Sequence, residues 1–200
     1  PAPAAQEPDL QAGVRAAAPP AGESPDPHQE AAVAAALTHG TTVITGGPGT
    51  GKTSIVARIL ESLAPTDPFI ALAAPTGKAA ARLQSAVGER LSGNPRLWGG
   101  TLHKLLGARP RSTQLGYGPG NPLPHDVVVV DETSMVSLEL MGHLTAALAP
   151  HARLILLGDP HQLRSVEAGA VLADIEQAGT LVTEPGGHIA RLHRNFRSNP

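Results

Sequence analysis

The stretch TTVITGGPGTGKT, residues 41–53, decides the fold. Its first five residues form a β-branched run bounded by glycines, which predicts a strand over 41–45. The next eight, Gly46 to Thr53, fit the pattern G-x-x-x-x-G-K-[ST] and lead into a helical pattern over 52–64. A strand, a glycine-rich loop and a helix in this order are the context that a phosphate-binding loop requires. A glycine-rich turn without a ligand would not need all of these parts in register.

The parts of this loop predict how it binds a nucleoside triphosphate. The glycines let the backbone curl so that several N–H groups face one point, and the N-terminus of the following helix adds its dipole. The lysine would reach the β and γ phosphates, and the threonine hydroxyl would ligate Mg²⁺. The predicted nucleotide contacts are therefore Gly46, Gly47, Pro48, Gly49, Thr50, Gly51, Lys52 and Thr53.

Apolar strands alternate with helical patterns along the rest of the chain. Further strands are predicted at 69–74, 127–130 and 154–158, after a short helix at 29–37. Helical patterns cover about 52–64, 78–87, 135–149 and 169–177, and residues 88–125 read as loops around one short helix at TLHKLL. Continuous apolar strands that alternate with helices indicate an α/β fold with a parallel sheet sandwiched by helices.

The composition sets the boundaries of this domain and excludes some functions. Seven of the twenty prolines lie in residues 1–27, which predicts a polyproline-like or disordered linker before a domain over 28–200. A net charge of -2 argues against a protein that binds nucleic acid with its whole surface, but it allows a local groove. The absence of cysteine excludes disulfides and is compatible with a reducing compartment, so we expect a cytoplasmic protein without a membrane span.

An acidic pair follows the strand of four valines in VVVVDETSM. The strand would deliver Asp131 to the carboxyl edge of the sheet, where ligands bind in such folds, and there it would hold Mg²⁺. The side chain of Glu132 should diverge from it and orient and deprotonate a water molecule. The alternative is an acidic pair that caps the next helix.

Two more strand ends carry polar groups. In LILLGDPHQL the amide of Gln162 could hydrogen-bond a γ-phosphate or the attacking water. In APTGKAAARL a turn with Thr76 and Lys78 could bind a nucleic-acid phosphate. Each of these segments taken alone is more typical of a solvated loop.

The order of the motifs resembles that of superfamily 1 DNA helicases, and within them that of the RecD family, the α subunits of exodeoxyribonuclease V (RecBCD). The motifs are GGPGTGKT, APTGKAAARL, TLHKLLG, NPLPHDVVVVDETSMV and LILLGDPHQLRSVEAGAVLADI, and the resemblance covers about residues 28–200. It implies the first RecA-like motor domain of a 5′–3′ helicase that uses ATP and Mg²⁺, moves on single-stranded DNA and acts in break repair and recombination. The implied partners are the β and γ subunits of the same enzyme.

The resemblance also assigns residues. It implies that Gln29 reads adenine and that Arg197, in NFRSNP, stabilises the γ-phosphate, with Arg194 as the nearest competitor. Together with Lys52, Glu132 and Gln162, Arg197 completes the predicted catalytic set. Three residues of the second and third motifs, Thr76, Lys78 and His103, become candidate DNA contacts.

Three alternatives stay open at this point. The chain could come from a stand-alone RecD-like helicase, from an ATP-binding module without motor activity, or from an RNA helicase with the same chemistry. Because the resemblance includes only the first of two motor domains, we expect the chain not to unwind DNA by itself.

Overall fold

A computed structural model describes residues 26–91, 96–110, 112, 114–159 and 188–192. The strands in chain order are β1 Thr41–Gly46, β2 Ile70–Ala74, β3 Leu97–Thr101, β4 Val127–Val130, β5 Arg153–Gly158 and β6 Ile189–Leu192. The helices are α1 Pro27–Thr38, α2 Lys52–Leu63, α3 Gly77–Gly88, α4 Leu102–Leu105 and α5 Leu138–Ala147. Short 3-10 turns cover Ala64–Thr66 and Thr133–Met135.

The six strands form one parallel sheet in the order β3-β2-β4-β5-β1-β6. The strand that precedes the phosphate loop, β1, therefore lies between β5 and β6, and β5 separates it from β4. Because all pairs are parallel, every strand ends at the same edge of the sheet. The predicted α/β class with a parallel sheet is confirmed.

Helices cover both faces of this sheet, and the alternation of side chains along each strand divides the core in two. One cluster packs α1, α2 and α3 against residues such as Ile44, Leu72 and Ile155. The other packs α4 and α5 against their neighbours on the opposite face, such as Val43 and Leu156. Burial on both faces explains why these strands read as continuous apolar runs rather than as alternating ones.

Two strands were not predicted from the sequence, and both lie at edges of the sheet. Strand β3, in a region read as loops, contains the pair Gly99 and Gly100, and glycine disfavours strands. A side chain at Gly99 would collide with Gln84 of α3, so glycine allows helix and strand to pack closely. Strand β6 has only four residues, and one of them is Arg191, so the alternation of apolar and polar residues that indicates a strand cannot be recognised in the sequence.

Several predicted bounds also shift. Helix α5 begins at Leu138, not at residue 135, because the side chain of Ser137 accepts a hydrogen bond from the backbone N–H of Leu140 and caps the helix. Helix α1 begins at Pro27, where Asp26 accepts from the N–H of His28 at 2.9 Å. The helix predicted at 169–177 and residues 1–25 of the predicted linker lie outside the described residues.

A search of the helices in the described part of the chain found none with the length and apolar character that crossing a bilayer requires.

Thr42 of β1 buries a hydroxyl that has no hydrogen-bond partner among the described residues. Replacing it by valine keeps the shape and removes the unsatisfied group, so Thr42→Val should raise the free energy of unfolding by about 1 kcal/mol. Chemical denaturation with the wild-type protein as reference measures this change. Thr42→Ser, which keeps the hydroxyl and loses the methyl group, should instead lower it. A valine variant that is less stable than the serine variant would contradict the inference that the Thr42 hydroxyl is buried without a hydrogen-bond partner.

His125 packs into the apolar core beside β3. Its ring is 4.2 Å from the ring of Phe69 and 6.1 Å from that of Trp98, and the residue is only 5% exposed. Neither ring nitrogen has a hydrogen-bond partner in the part of the chain that the structure describes. Burial lowers the pKa of His125 because it disfavours the charged ring, and the neighbouring Asp126 carboxylate opposes this only in part.

This histidine should make stability depend on pH. The unfolded chain binds a proton at this histidine more readily than the folded chain does. The contribution of neutral His125 to the free energy of unfolding is therefore complete above the ordinary pKa of 6.5 and is lost as the pH falls below that value. The loss should reach up to about 1.4 kcal/mol per pH unit. Comparing urea unfolding at pH 7.5 and 5.5, we expect His125→Leu to reduce this slope and His103→Ala, an exposed control, to leave it unchanged.

Candidate nucleotide site

A cleft of about 380 Å³ opens at the carboxyl edge of the sheet. It lies where β1, β5 and β4 end, which is the edge at which parallel α/β folds bind ligands. Its lining residues come from the phosphate loop, from two strand ends and from α3. They are Pro48, Gly49, Thr50, Gly51, Lys52, Thr53, Ser54, Arg82, Asp131, Glu132, Gly158 and Asp159.

The phosphate loop depends on glycine at two left-handed positions. Gly49 has φ 82° and Gly51, the residue that precedes α2, has φ 84°. Other residues are strained in this region, so the loop could not curl in the same way with side chains there. Gly46 is required for space, because a Cβ at this position would lie 2.6 Å from Oγ1 of Thr50. The curl of the loop therefore depends on glycine at these three positions.

Lys52, the first residue of α2, turns its ammonium group back into the loop. Its Nζ donates to the carbonyl oxygens of Gly46 and, at 3.0 Å, of Gly47. Burial lowers the pKa of Lys52, Asp159 and Asp131 oppose this by raising it, and Arg82 lowers it further. An anion at this position would favour the charged lysine, as a phosphate group does.

The acidic pair faces the same cleft. Asp131 accepts a hydrogen bond from the backbone N–H of Glu132 at 2.8 Å. Glu132 has φ 53°, a left-handed conformation that is strained for a residue with a side chain. The backbone therefore turns directly after β4, and both residues line the cleft.

The start of α1 lies against the phosphate loop. Nε2 of Gln29 donates to the carbonyl oxygen of Thr50 at 3.3 Å. The next residue, Glu30, forms an ion pair of 2.7 Å with Arg58 of α2, which is only 4% exposed. This pair fixes the first turn of α1 to the helix that begins in the loop. The structure thus brings Gln29 to the predicted site, with its amide engaged by the loop.

The candidate DNA contacts lie outside the cleft but at the same edge of the sheet. The hydroxyl of Thr76, directly after β2, accepts from the N–H of Ala79 at 3.2 Å and caps α3. Lys78 is exposed in the first turn of that helix, and His103 is exposed on α4, directly after β3. Gln162, Arg194 and Arg197 lie outside the described residues, so their predicted roles stay predictions.

Two residues that line the cleft were missed from the sequence. Asp159 follows β5 directly and is buried, and its position after an apolar strand is the same signal that identified Asp131. Arg82 lies within α3. No feature of the sequence separates it from an ordinary surface arginine, because its place in the cleft depends on how α3 packs on the sheet.

The sequence profile of the AAA domain matches residues 29–168, which is more than half of the chain. This chain belongs to the AAA domain family. The matched range contains the phosphate loop, the acidic pair and all the strands from β1 to β5. Membership of this family makes it a nucleotide-binding domain, in agreement with the cleft.

Curated relatives carry RecD names. The RecBCD enzyme subunit RecD of Mycolicibacterium smegmatis is 55% identical over 74% of this AAA domain chain, and that of Haemophilus influenzae is 45% identical over 80%. An ATP-dependent RecD2 DNA helicase of Deinococcus radiodurans is 39% identical over 81%. The predicted resemblance to RecD is confirmed. The chain spans only 29%, 27% and 21% of the length of these relatives.

Solved structures support the fold. A structure of Pif1 helicases described as unwinding forked double-stranded DNA matches with a TM-score of 0.58 at 20% identity, over 89% of this chain and 46% of that one. A Pif1 helicase from Candida albicans matches with a TM-score of 0.52 at 22% identity, over 88% of this chain and 41% of that one. The RecA-like fold predicted by the resemblance is confirmed.

The ion pair between Glu30 and Arg58 should contribute to stability. Glu30→Ala would leave the buried guanidinium without this carboxylate, so we expect the free energy of unfolding to fall by about 1–3 kcal/mol. Glu30→Gln keeps an acceptor and should cost less. Denaturant unfolding measures both, and Glu61→Ala, at an exposed position of α2, is the control. Equal losses in Glu30→Ala and Glu61→Ala would show that the pair contributes nothing.

Proposed function

We propose that this AAA domain is the first motor domain of an ATP-dependent DNA helicase of the RecD type. The observation that carries the proposal is the cleft itself, where a phosphate loop faces carboxylates from two neighbouring strand ends. Hydrolysis of a phosphoanhydride needs a phosphate cradle, a metal ligand and a base for water in one place. The names of the relatives favour a helicase over other reactions of this class.

The residues of the cleft divide this work among them. The loop binds the phosphates of ATP through its backbone N–H groups and Lys52. Gln29, whose amide donates to the carbonyl oxygen of Thr50 in the loop, is the proposed reader of the base. Thr53 and Asp131 offer a hydroxyl and a carboxylate, oxygen ligands that Mg²⁺ accepts, and the ion would neutralise phosphate charge. Glu132 orients and deprotonates the attacking water.

Two further roles rest on the resemblance alone. Gln162 would sense the γ-phosphate, and Arg197 would stabilise the charge that develops during transfer, an effect of about 10³–10⁵-fold in related systems. Both are proposals for residues outside the described ranges.

Single-stranded DNA is the proposed track. The exposed Lys78 and His103 lie at the ends of β2 and β3, beside the cleft rather than in it. Single-stranded DNA that crosses this edge would contact the domain through its phosphates, so the affinity for DNA should fall as the salt concentration increases. Translocation from 5′ to 3′ and a role in break repair and recombination come from the resemblance to RecD.

The partners are proposed from the names of the relatives. Several are subunits of RecBCD, which favours the β and γ subunits of exodeoxyribonuclease V as partners. The RecD2 helicase of Deinococcus radiodurans keeps a stand-alone helicase as the second candidate. Because such enzymes act on chromosomal DNA, the cytoplasm is the proposed compartment.

ATP hydrolysis by the full-length protein, with and without an unstructured single-stranded DNA, tests the proposal. We expect DNA to stimulate hydrolysis strongly, because a motor couples its cleft to its track. Phosphate release measured at constant salt gives the rates, and an RNA of the same sequence is the matched alternative track. Hydrolysis that does not respond to DNA would leave an ATP-binding module without motor activity.

Glu132→Gln separates binding from chemistry in the same assay. The amide cannot accept the proton of water, so hydrolysis should fall by about 10²-fold or more while ATP affinity stays within about threefold of wild type. Unchanged turnover would overturn the assignment of the base. Lys52→Ala, which removes the phosphate contact, should lose nucleotide binding itself.

A further inference from the structure

Arg82 brings a positive charge to the cleft and belongs neither to the phosphate loop nor to the acidic pair. It lies on α3, which starts after β2, and it lines the same cleft as Lys52. Among the residues that the structure describes, it makes no hydrogen bond and no ion pair. An exposed guanidinium without such partners, in a cleft lined by a phosphate loop, is available to bind an anionic ligand.

The position of Arg82 relative to Lys52 indicates which part of a nucleotide it would meet. Both residues line the cleft, and the positive charge of Arg82 lowers the pKa of Lys52. The loop lysine addresses the β and γ phosphates. Helix α3 packs on β2 and β3, so Arg82 enters the cleft from the end of the strand order that contains these strands, whereas the loop follows β1 near the other end.

We propose that Arg82 binds the terminal phosphate of ATP, as an arginine that the domain supplies from its own α3. This proposal rests on the proposed function and assigns the contact with the terminal phosphate to Arg82. A guanidinium presents several N–H donors in a plane and matches phosphate oxygens better than an ammonium does. A triphosphate between Lys52 and Arg82 would attract both cations and offset the repulsion between them.

Arg82 would also connect the nucleotide to the track. Helix α3 begins with the capping Thr76 and the exposed Lys78, the candidate contacts for DNA phosphates. Lys78 and Arg82 are four residues apart, so they lie on the same side of one helix. A phosphate that binds Arg82 therefore acts on the rigid element whose first turn would touch DNA.

Equilibrium binding to the full-length protein tests the inference. The probes are ADP and a non-hydrolysable β,γ-imido analogue of ATP, each with Mg²⁺, measured by displacement of a fluorescent nucleotide. In Arg82→Ala we expect the affinity for the ATP analogue to fall by about tenfold or more, because a charged hydrogen bond to the terminal phosphate is lost. The affinity for ADP should change by less than about threefold, since ADP lacks that phosphate.

The controls separate the possible failures. Arg82→Gln, which keeps the length without the charge, should behave as Arg82→Ala does, and Arg90→Ala, an exposed arginine just after α3, should match wild type. Arg82 is itself exposed, and alanine favours helix, so both variants should fold, which thermal unfolding verifies. Equal losses for the two nucleotides, or affinities that match those of Arg90→Ala, would overturn the inference and leave the proposed function standing. A wild-type protein that binds neither probe would overturn both.

Discussion

The parallel pairing of β1, β5 and β4 is the constraint on which the site depends. Because the three strands run side by side in one direction, the phosphate loop, Asp159 and Asp131 all follow strand ends at one edge. Neighbouring strands are about 4.8 Å apart, so the loop and the acidic pair face each other across about 10 Å. An antiparallel β5 would send Asp159 to the opposite edge. The apolar packing on both faces thus fixes the distances of a polar site.

Opposed charges define the electrostatics of the cleft. Lys52 and Arg82 bring two cations to it, and Asp131, Glu132 and Asp159 bring three carboxylates. Asp159 and Asp131 raise the pKa of Lys52 against the effect of its burial, while Arg82 lowers it. A nucleotide with Mg²⁺ adds anionic phosphates next to the cations and a dication next to the carboxylates. Binding would therefore satisfy both sets at once, which is why the metal and the nucleotide belong to one proposal.

Much of this arrangement could be predicted from the sequence because it depends on local chemistry. The loop needs glycine at φ values that other residues avoid, and four valines before Asp131 mark a buried strand whose end carries a function. The features that the sequence did not predict depend on tertiary packing. Strand β3 contains Gly99, where a side chain would collide with Gln84 of α3, and Gly100, where one would collide with the ring of Trp98. Arg82 reaches the cleft only because α3 lies across β2 and β3. The left-handed turn at Glu132, which keeps both carboxylates in one cleft, has no signature in the local pattern.

The sheet order also separates the cleft from the candidate DNA contacts. The cleft occupies the ends of β1, β5 and β4, whereas the exposed Lys78 and His103 follow β2 and β3. The two halves meet where β4 pairs with β2, and the strands there are buried. Under the proposed function, a movement caused by hydrolysis would pass through elements that contact both halves. Helix α3 reaches both halves, since its first turn follows β2 and Arg82 lies in the cleft. With the roles proposed for Arg82 and Lys78, the same helix would respond to the loss of a phosphate and change its contact with DNA.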